Sequence, residues 1–316
     1  MQTIVVDVAK TDPTYFTYLT EMLERGNILI LEKAPFIPSD DDMAFMRGIK
    51  QTAFTGHKNI AFKPSKDKVT GTAGADAKSA ARLKSILMQY SKGSLEFLTR
   101  AFPRYASVWK VDYATYRPVE EEGRVLPMSH RNDLLHVDAF PTRPTHGGRI
   151  LRCFTNLHPS KERVWGTSGS FDDIAKTYAM DAGLGKVSGP IATAKRAAMR
   201  AVSGLGLKIP NRSAYDEFMI GFHHYLKSSE QFQRDGRKHT TPFGPGATWI
   251  SYTDQIAHCV LSGQYAMEQT CIVPFSAMLK PELAPLSILE KLAGRQLVEV
   301  KMRNAAPLAS AGARSM

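Results

Sequence analysis

Two short stretches of this chain carry residue types suited to metal chemistry: Leu135-His136-Val137-Asp138-Ala139-Phe140 and, far downstream, Tyr252-Thr253-Asp254-Gln255-Ile256-Ala257-His258. A His-x-Asp pair completed by one distant histidine is the ligand set that holds ferrous iron while leaving adjacent positions open for a co-substrate and oxygen. On a strand, side chains two apart point to one face, so His136 and Asp138 can share a metal while Val137 turns away. The triplet alone is weak, because it recurs by chance in chains of this length. Its weight depends on the elements that hold it.

The chain opens as strand, helix, strand: residues 3–8 are β-like, 13–25 are helical with Asp12 as N-cap and Gly26 as the stop, and 28–31 are extended. Ser39 and the run Asp40-Asp41-Asp42 could be mistaken for a metal cluster. They precede Met43, Phe45, Met46 and Ile49 at helical intervals, so they read as a cap and an acidic first turn that complements the helix dipole. Residues 63–74, rich in Gly, Thr and Lys, read as a mobile loop, and 76–102 as a long helix. Strands are expected over 107–117, 134–140 (bearing His136 and Asp138), 149–157, 163–166, 248–253 and within 257–274, with a tight turn at Gly244-Pro245-Gly246. From 172 to 232 the pattern turns helical, over 172–181, 192–202 and 214–232. The expectation is one α+β domain over 1–303: opening strands and helices in 1–105, a β core from 106–166 and 244–274, and a helical insertion in 170–235 before the distal histidine. The tail, 304–316, has the composition of disorder.

At 316 residues and 43% hydrophobic content the chain can bury a large core. The three cysteines, Cys153, Cys259 and Cys271, are odd in number and lack Cys-x-x-Cys spacing, which argues against a disulfide framework or a zinc ribbon and fits a reducing cytoplasm. No charged leader opens the chain, and no apolar run approaches the ~20 residues that span a bilayer. The 41 basic against 30 acidic residues leave a net charge of +11, with basic groups around Lys58 to Lys68, Lys195 to Arg200 and Arg234 to Lys238. Such an excess suits a polyanion, an anionic membrane surface, or simply a solvated exterior. No nucleic-acid motif or interleaved aromatic pattern accompanies it.

The second stretch reads as a strand, a short loop and a histidine opening another strand, which is how double-stranded β-helix dioxygenases present their distal iron ligand. Many of them place a basic residue shortly beyond, to grip the far carboxylate of 2-oxoglutarate; here Gly263-Gln264-Tyr265-Ala266-Met267 offers only Gln264. Arg149-Ile150-Leu151-Arg152-Cys153-Phe154-Thr155-Asn156-Leu157 supplies an alternative. It resembles the strand that follows His-x-Asp in the prolyl-hydroxylase branch, and alternation puts Arg152, Phe154 and Asn156 on one face. A buried arginine there needs an anion, and guanidinium pairs bidentately with carboxylate. Arg117 is a second candidate, and the alternative for both arginines is a surface or ion-pair role.

At greater length the chain resembles the bacterial Kdo hydroxylases. The resemblance is carried by Tyr116-Arg117-Pro118-Val119-Glu120, His136-Val137-Asp138-Ala139-Phe140-Pro141-Thr142-Arg143-Pro144, Gly148-Arg149-Ile150-Leu151-Arg152, Trp165, Tyr252-Thr253-Asp254-Gln255 to His258 and Ser262-Gly263-Gln264-Tyr265-Ala266. It implies a double-stranded β-helix (jelly-roll, cupin-like) core flanked by helices. It also implies an iron(II) and 2-oxoglutarate dioxygenase, using O2 and supported by ascorbate, that hydroxylates carbon 3 of a 3-deoxy-D-manno-oct-2-ulosonic acid (Kdo) residue on Kdo-lipid A. The ligands would be His136, Asp138 and His258; Arg152, with Arg117, Asn156 and Trp165, would hold 2-oxoglutarate; Arg131 and Arg143 would touch the anionic substrate. An enzyme peripheral to the cytoplasmic face of the inner membrane would account for the basic excess. Two alternatives stand beside this: a dioxygenase acting on another small molecule or a protein, and a metal-free β-helix protein that binds sugar or nucleic acid.

Other polar residues fit blander roles. His223 and His224 are adjacent on a helix, point apart and cannot readily share a metal, so they read as surface or substrate-side groups. His130 suits a loop or the substrate, and His146 and His158 are fallback ligands. Alternation turns Cys153 and Cys259 away from the metal into the core.

Overall fold

The computed structural model describes residues 2–49, 59–72, 74–203 and 211–303. Lys58, the side chain of Arg200 and the tail expected to be disordered lie outside the described groups. The chain begins with β1 (Thr3–Val5), α1 (Pro13–Glu24), β2 (Ile28–Leu31), α2 (Asp40–Arg47), β3 (Ile60–Lys63), β4 (Lys68–Thr70), α3 (Ala77–Ala101) and α4 (Pro103–Ala106). It continues through β5 (Lys110–Arg117), β6 (Arg149–Asn156) and β7 (Arg163–Thr167), then α5 (Phe171–Tyr178), α6 (Leu184–Ser188), α7 (Pro190–Ser203), α8 (Ala214–Ser228) and α9 (Glu230–Asp235). Four more strands follow, β8 (His239–Phe243), β9 (Thr248–Tyr252), β10 (His258–Ser262) and β11 (Ala266–Val273), before α10 (Pro285–Ala293) and α11 (Val300–Arg303).

Local chemistry sets several boundaries. Asp12 accepts a hydrogen bond from the Tyr15 amide with Pro13 at the first helical position, and Ser39 accepts one from the Asp42 amide. Asp41 and Asp42 then pair with Arg82 of α3, so the acidic run is a helix start and not a metal site.

The strands form a mixed eight-stranded sheet, in the order β1-β2-β9-β6-β11-β5-β3-β4, and a three-stranded sheet, β10-β7-β8. Buried aromatic residues join the two: Phe154 and Trp249 from the large sheet meet Trp165 and Phe243 from the small one, with Phe154 and Trp165 ring centroids 5.0 Å apart. The opposite face of the large sheet, with Leu151, Cys153, Ile250, Tyr252 and Cys271, is covered by Leu19 and Leu23 of α1 and by Leu98 of α3. Both faces are therefore covered, and β9 is buried at every residue. Among the described residues no helix is long and apolar enough to cross a membrane.

Two expectations are corrected. Residues 63–74 are not simply a loop, because β4 pairs antiparallel with β3 across a single 3₁₀ turn. Residues 134–140 do not form a strand: apart from one bridge, His136 to His258, this segment finds its partners elsewhere. The helical insertion supplies one of them. The Gln233 side chain takes the Leu135 amide at 2.9 Å and donates to the Leu135 carbonyl at 2.9 Å, standing in for a neighbouring strand.

Candidate metal centre

His136 and His258 face each other across that bridge, with amide–carbonyl hydrogen bonds of 3.1 and 2.9 Å in the two directions. The Asp138 amide donates to the Thr253 carbonyl at 2.8 Å. The loop before His258 is held from the sheet: buried Arg149 donates to Asp254 at 2.7 Å and to Gln255 at 2.7 Å, and Asp254 accepts the Ile150 amide at 3.0 Å. Backbone contacts of this segment with the start of β10 and the turn after β9 thus set the distances that the sequence alone attributed to strand alternation.

Donor atoms of His136, Asp138 and His258 all lie within 4.8 Å of one another, and all three residues are buried. His136 Nε2 is 3.7 Å from one Asp138 oxygen, and His258 Nε2 is 4.0 Å from the other. Each Nδ1 lies against a carbonyl, Leu134 at 2.7 Å and Ile256 at 2.9 Å, so with the proton on Nδ1 the Nε2 lone pair faces inward. Burial lowers both histidine pKa values; for His136 the neighbouring His258 adds to this, while at His258 the Asp138 carboxylate opposes it. Burial would raise the pKa of Asp138, but the Arg152 guanidinium beside it outweighs this and holds the carboxyl below its ordinary range. Neutral imidazoles beside a carboxylate are the protonation states a divalent metal requires. Since both histidines titrate below the ordinary 6.5, iron(II) affinity is expected to stay nearly flat from about pH 8 to about 6.5 in anaerobic titrations.

Arg152 projects from β6 to within 2.9 Å of Asp138 and 3.3 Å of Glu268, and Arg117 donates to Glu268 at 2.6 Å. The anion that a buried arginine needs is thus already present in part, as a glutamate on β11. Burial would raise the Glu268 pKa, but Arg152 and Arg117 hold it down and charged. Register places Glu268 opposite Phe154 and Thr270 opposite Arg152, on the face turned to the small sheet. Arg152 Nε, Arg163 Nε, Trp165 Nε1, Thr115 Oγ1 and Ser251 Oγ are buried without a hydrogen-bond partner among the described residues, an arrangement that fits a polar, carboxylate-bearing ligand. Trp165 also stacks on His258, with centroids 4.8 Å apart and planes at 20°.

Other expected residues are placed as follows. Asn156 is a correction: its amide nitrogen donates to the carbonyls of Lys161, Phe243 and Gly244, and its oxygen accepts the His158 amide. It ties β6 to neighbouring turns, and both amide hydrogens are engaged there. Gln264 donates to the Pro118 carbonyl at 2.8 Å. Arg131 pairs with Asp133, while Arg143 pairs with Asp112 and lies over the Tyr113 and Phe140 rings, at the edge of a cavity of about 420 Å³. His146 pairs with Asp216, and His158 accepts two amides in its own turn, so neither fallback ligand reaches the metal set. Cys153 and Cys259 are buried, and burial pushes their thiols up to about 12 and about 11. His224 is exposed, whereas His223 packs edge-on against His136 with centroids 4.8 Å apart.

Sequence reasoning missed Glu268, Gln233 and Arg163 as parts of this neighbourhood. Only Glu268 carries a local signal, the one charged residue of an otherwise uncharged strand pattern. Gln233→Ala is expected to leave both backbone groups of Leu135 unpaired, lowering stability by about 1–3 kcal/mol. Iron(II) affinity should fall about tenfold through looser placement of His136, as measured by thermal melts and metal titration.

Two histidines and one carboxylate gathered on a mixed α+β scaffold are the donor set of the two-histidine, one-carboxylate class of metalloenzymes. The chain belongs to the 3-deoxy-D-manno-oct-2-ulosonic acid (Kdo) hydroxylase family, whose profile matches residues 7–296. It is similar to crystal structures of the Kdo hydroxylase KdoO, a non-heme Fe(II) alpha-ketoglutarate dependent dioxygenase. With the complex of alpha-ketoglutarate and Fe(III) it shares 30% identity at a TM-score of 0.81, over 94% of this chain and 98% of that one. The cobalt(II) complex gives 30% and 0.82, and the succinate and Fe(III) complex 29% and 0.80, with the same coverage. A search of curated proteins found no match.

Proposed function

We propose that this chain is an iron(II) and 2-oxoglutarate dioxygenase that hydroxylates carbon 3 of a Kdo residue on Kdo-lipid A. The observation that carries the reading is the buried His136, Asp138 and His258 set with Arg152 beside it, in a chain of the Kdo hydroxylase family. In this reading the two facing sheets form a double-stranded β-helix, residues 1–303 act as one domain, and the three residues hold the metal through His136 Nε2, His258 Nε2 and the Asp138 carboxylate.

When bound, iron with its oxo-acid co-substrate supplies the activation of O2 for C–H hydroxylation. The protein binds and orients. Arg152, with Arg117, receives the far carboxylate of 2-oxoglutarate, the two guanidiniums being bridged by Glu268 so that their forks stay directed inward. Trp165 fixes the His258 ring and offers Nε1 to the co-substrate. Burial of the ligand set keeps water from the reacting centre. Arg131 and Arg143 are proposed substrate contacts. The excess of basic residues supports approach to an anionic glycolipid at the cytoplasmic face of the inner membrane.

Incubating Kdo-lipid A with the protein, iron(II), ascorbate and 2-oxoglutarate should add one oxygen, placed at carbon 3 by fragment mass spectrometry. An unmodified substrate under conditions where iron and 2-oxoglutarate bind would assign the enzyme to a different acceptor; absence of metal binding would favour a metal-free sugar-binding protein.

A further inference from the structure

A buried ammonium stands near the metal ligands with little to hold it. Lys227 is 4% exposed, its Nζ donates to the Ser129 carbonyl at a long 3.4 Å, and no carboxylate among the described residues lies within ion-pairing distance of it. Burial lowers its pKa, against the opposing influence of Asp138 and Asp133. Lysines are almost never fully buried unless paired, since desolvation of the charge is costly. A methionine would fill the space without that penalty, so the ammonium points to an anionic ligand.

Its position says which one. One turn earlier on α8, His223 bonds the Val137 carbonyl at 2.8 Å and meets the His136 ring. Residues four apart share a helix face, so Lys227 is directed to the same ligand-bearing segment. The helical layer thus brings Lys227 toward the metal set, whereas Arg152, Arg117 and Glu268 arrive from the sheet. Ser129 belongs to the exposed turn Met128–His130, so the ammonium lies beneath a surface turn.

We propose that Lys227 binds the carboxylate of the sugar substrate and thereby aims carbon 3 at the metal. This rests on the Kdo reading above. In an oct-2-ulosonic acid the carboxylate is attached to carbon 2, the neighbour of the 3-deoxy carbon, so fixing it restricts where the carbon 3 hydrogens point. Lys227 is a positioning and specificity residue, and it exchanges no proton in the reaction.

The test compares Kdo-lipid A with its C1 carboxamide, which keeps every lipid phosphate and loses only the sugar carboxylate charge. Parent enzyme loaded with iron(II) and 2-oxoglutarate is expected to show a KM about 10–100-fold higher for the carboxamide, the range of a charge-assisted hydrogen bond. In Lys227→Met the KM for the acid should rise by a similar factor, and the acid–amide difference should shrink to within about threefold. Lys227→Arg should recover part of it. A Lys227→Met enzyme that discriminates as well as the parent overturns the proposal, because a merely structural lysine affects both substrates alike. A parent that does not discriminate also overturns it, and implies that phosphate or no anion is read here. Should Lys227→Met fail to bind iron, Lys227→Gln carries the same comparison. A parent that binds iron and 2-oxoglutarate yet oxidises neither compound overturns the Kdo reading, and this inference with it.

Discussion

Asp138→Ala is expected to remove detectable iron(II) binding, weakening it by about a thousandfold or more, beyond the ~10–100-fold that outer-shell partners control. Asp138 is the only anion of the ligand set, and its carboxylate lies between two neutral imidazoles and the Arg152 guanidinium. Without it, a dication would meet two neutral histidines beside a guanidinium whose remaining carboxylate partner is Glu268. His136→Ala should have a comparable effect, because it removes a donor whose orientation is set by the Leu134 carbonyl. Anaerobic titration of iron(II) against each purified variant measures this directly, with thermal melts confirming a folded chain. Iron binding unchanged in both variants would sink the site assignment.

Arg152→Ala is expected to raise the dissociation constant for 2-oxoglutarate by about 30–1000-fold, the cost of truncating one partner of a buried, hydrogen-bonded charge pair. Gln264→Ala, at the position where related dioxygenases carry a basic residue, should change it by no more than about threefold, because that side chain is spent on the Pro118 carbonyl. The contrast is the informative quantity. Glu268 keeps Arg117 as a partner when Arg152 is lost, so the sheet retains one ion pair at this point and the variant is expected to fold. Arg152→Lys should recover only part of the affinity, since an ammonium cannot present the planar fork. Calorimetry with iron present under anaerobic conditions gives all three constants, and equal effects of Arg152→Ala and Gln264→Ala would remove Arg152 from the co-substrate site.

Much of the site was legible in the chain. The His-x-Asp pair and its distant histidine, which the structure brings together, follow from residue type and spacing; Arg152 on the strand after them comes to lie beside Asp138, and alternation turns Cys153 to the opposite face, where it packs under α1 and α3. Helix starts at Asp12 and Ser39 followed from capping chemistry. Two readings failed for one reason. Residues 134–140 looked like a strand, and Asn156 looked free to touch a co-substrate, because alternation describes which way a side chain points and not which partner it finds. The Leu135 backbone is satisfied by Gln233, and the Asn156 amide by three carbonyls.

The sequence by itself determined the donor atoms, their order along the chain and the periodicities that group them, since these are properties of residue type and local backbone geometry. Only the tertiary structure decided the electrostatic setting. Glu268 reaches Arg117 across 151 positions and Gln233 reaches Leu135 across 98. Burial then makes such distant pairings decide which histidines stay neutral, which carboxylates stay charged and which lysine has no carboxylate within ion-pairing distance among the described residues, because in a desolvated interior each charge is governed by its immediate neighbours.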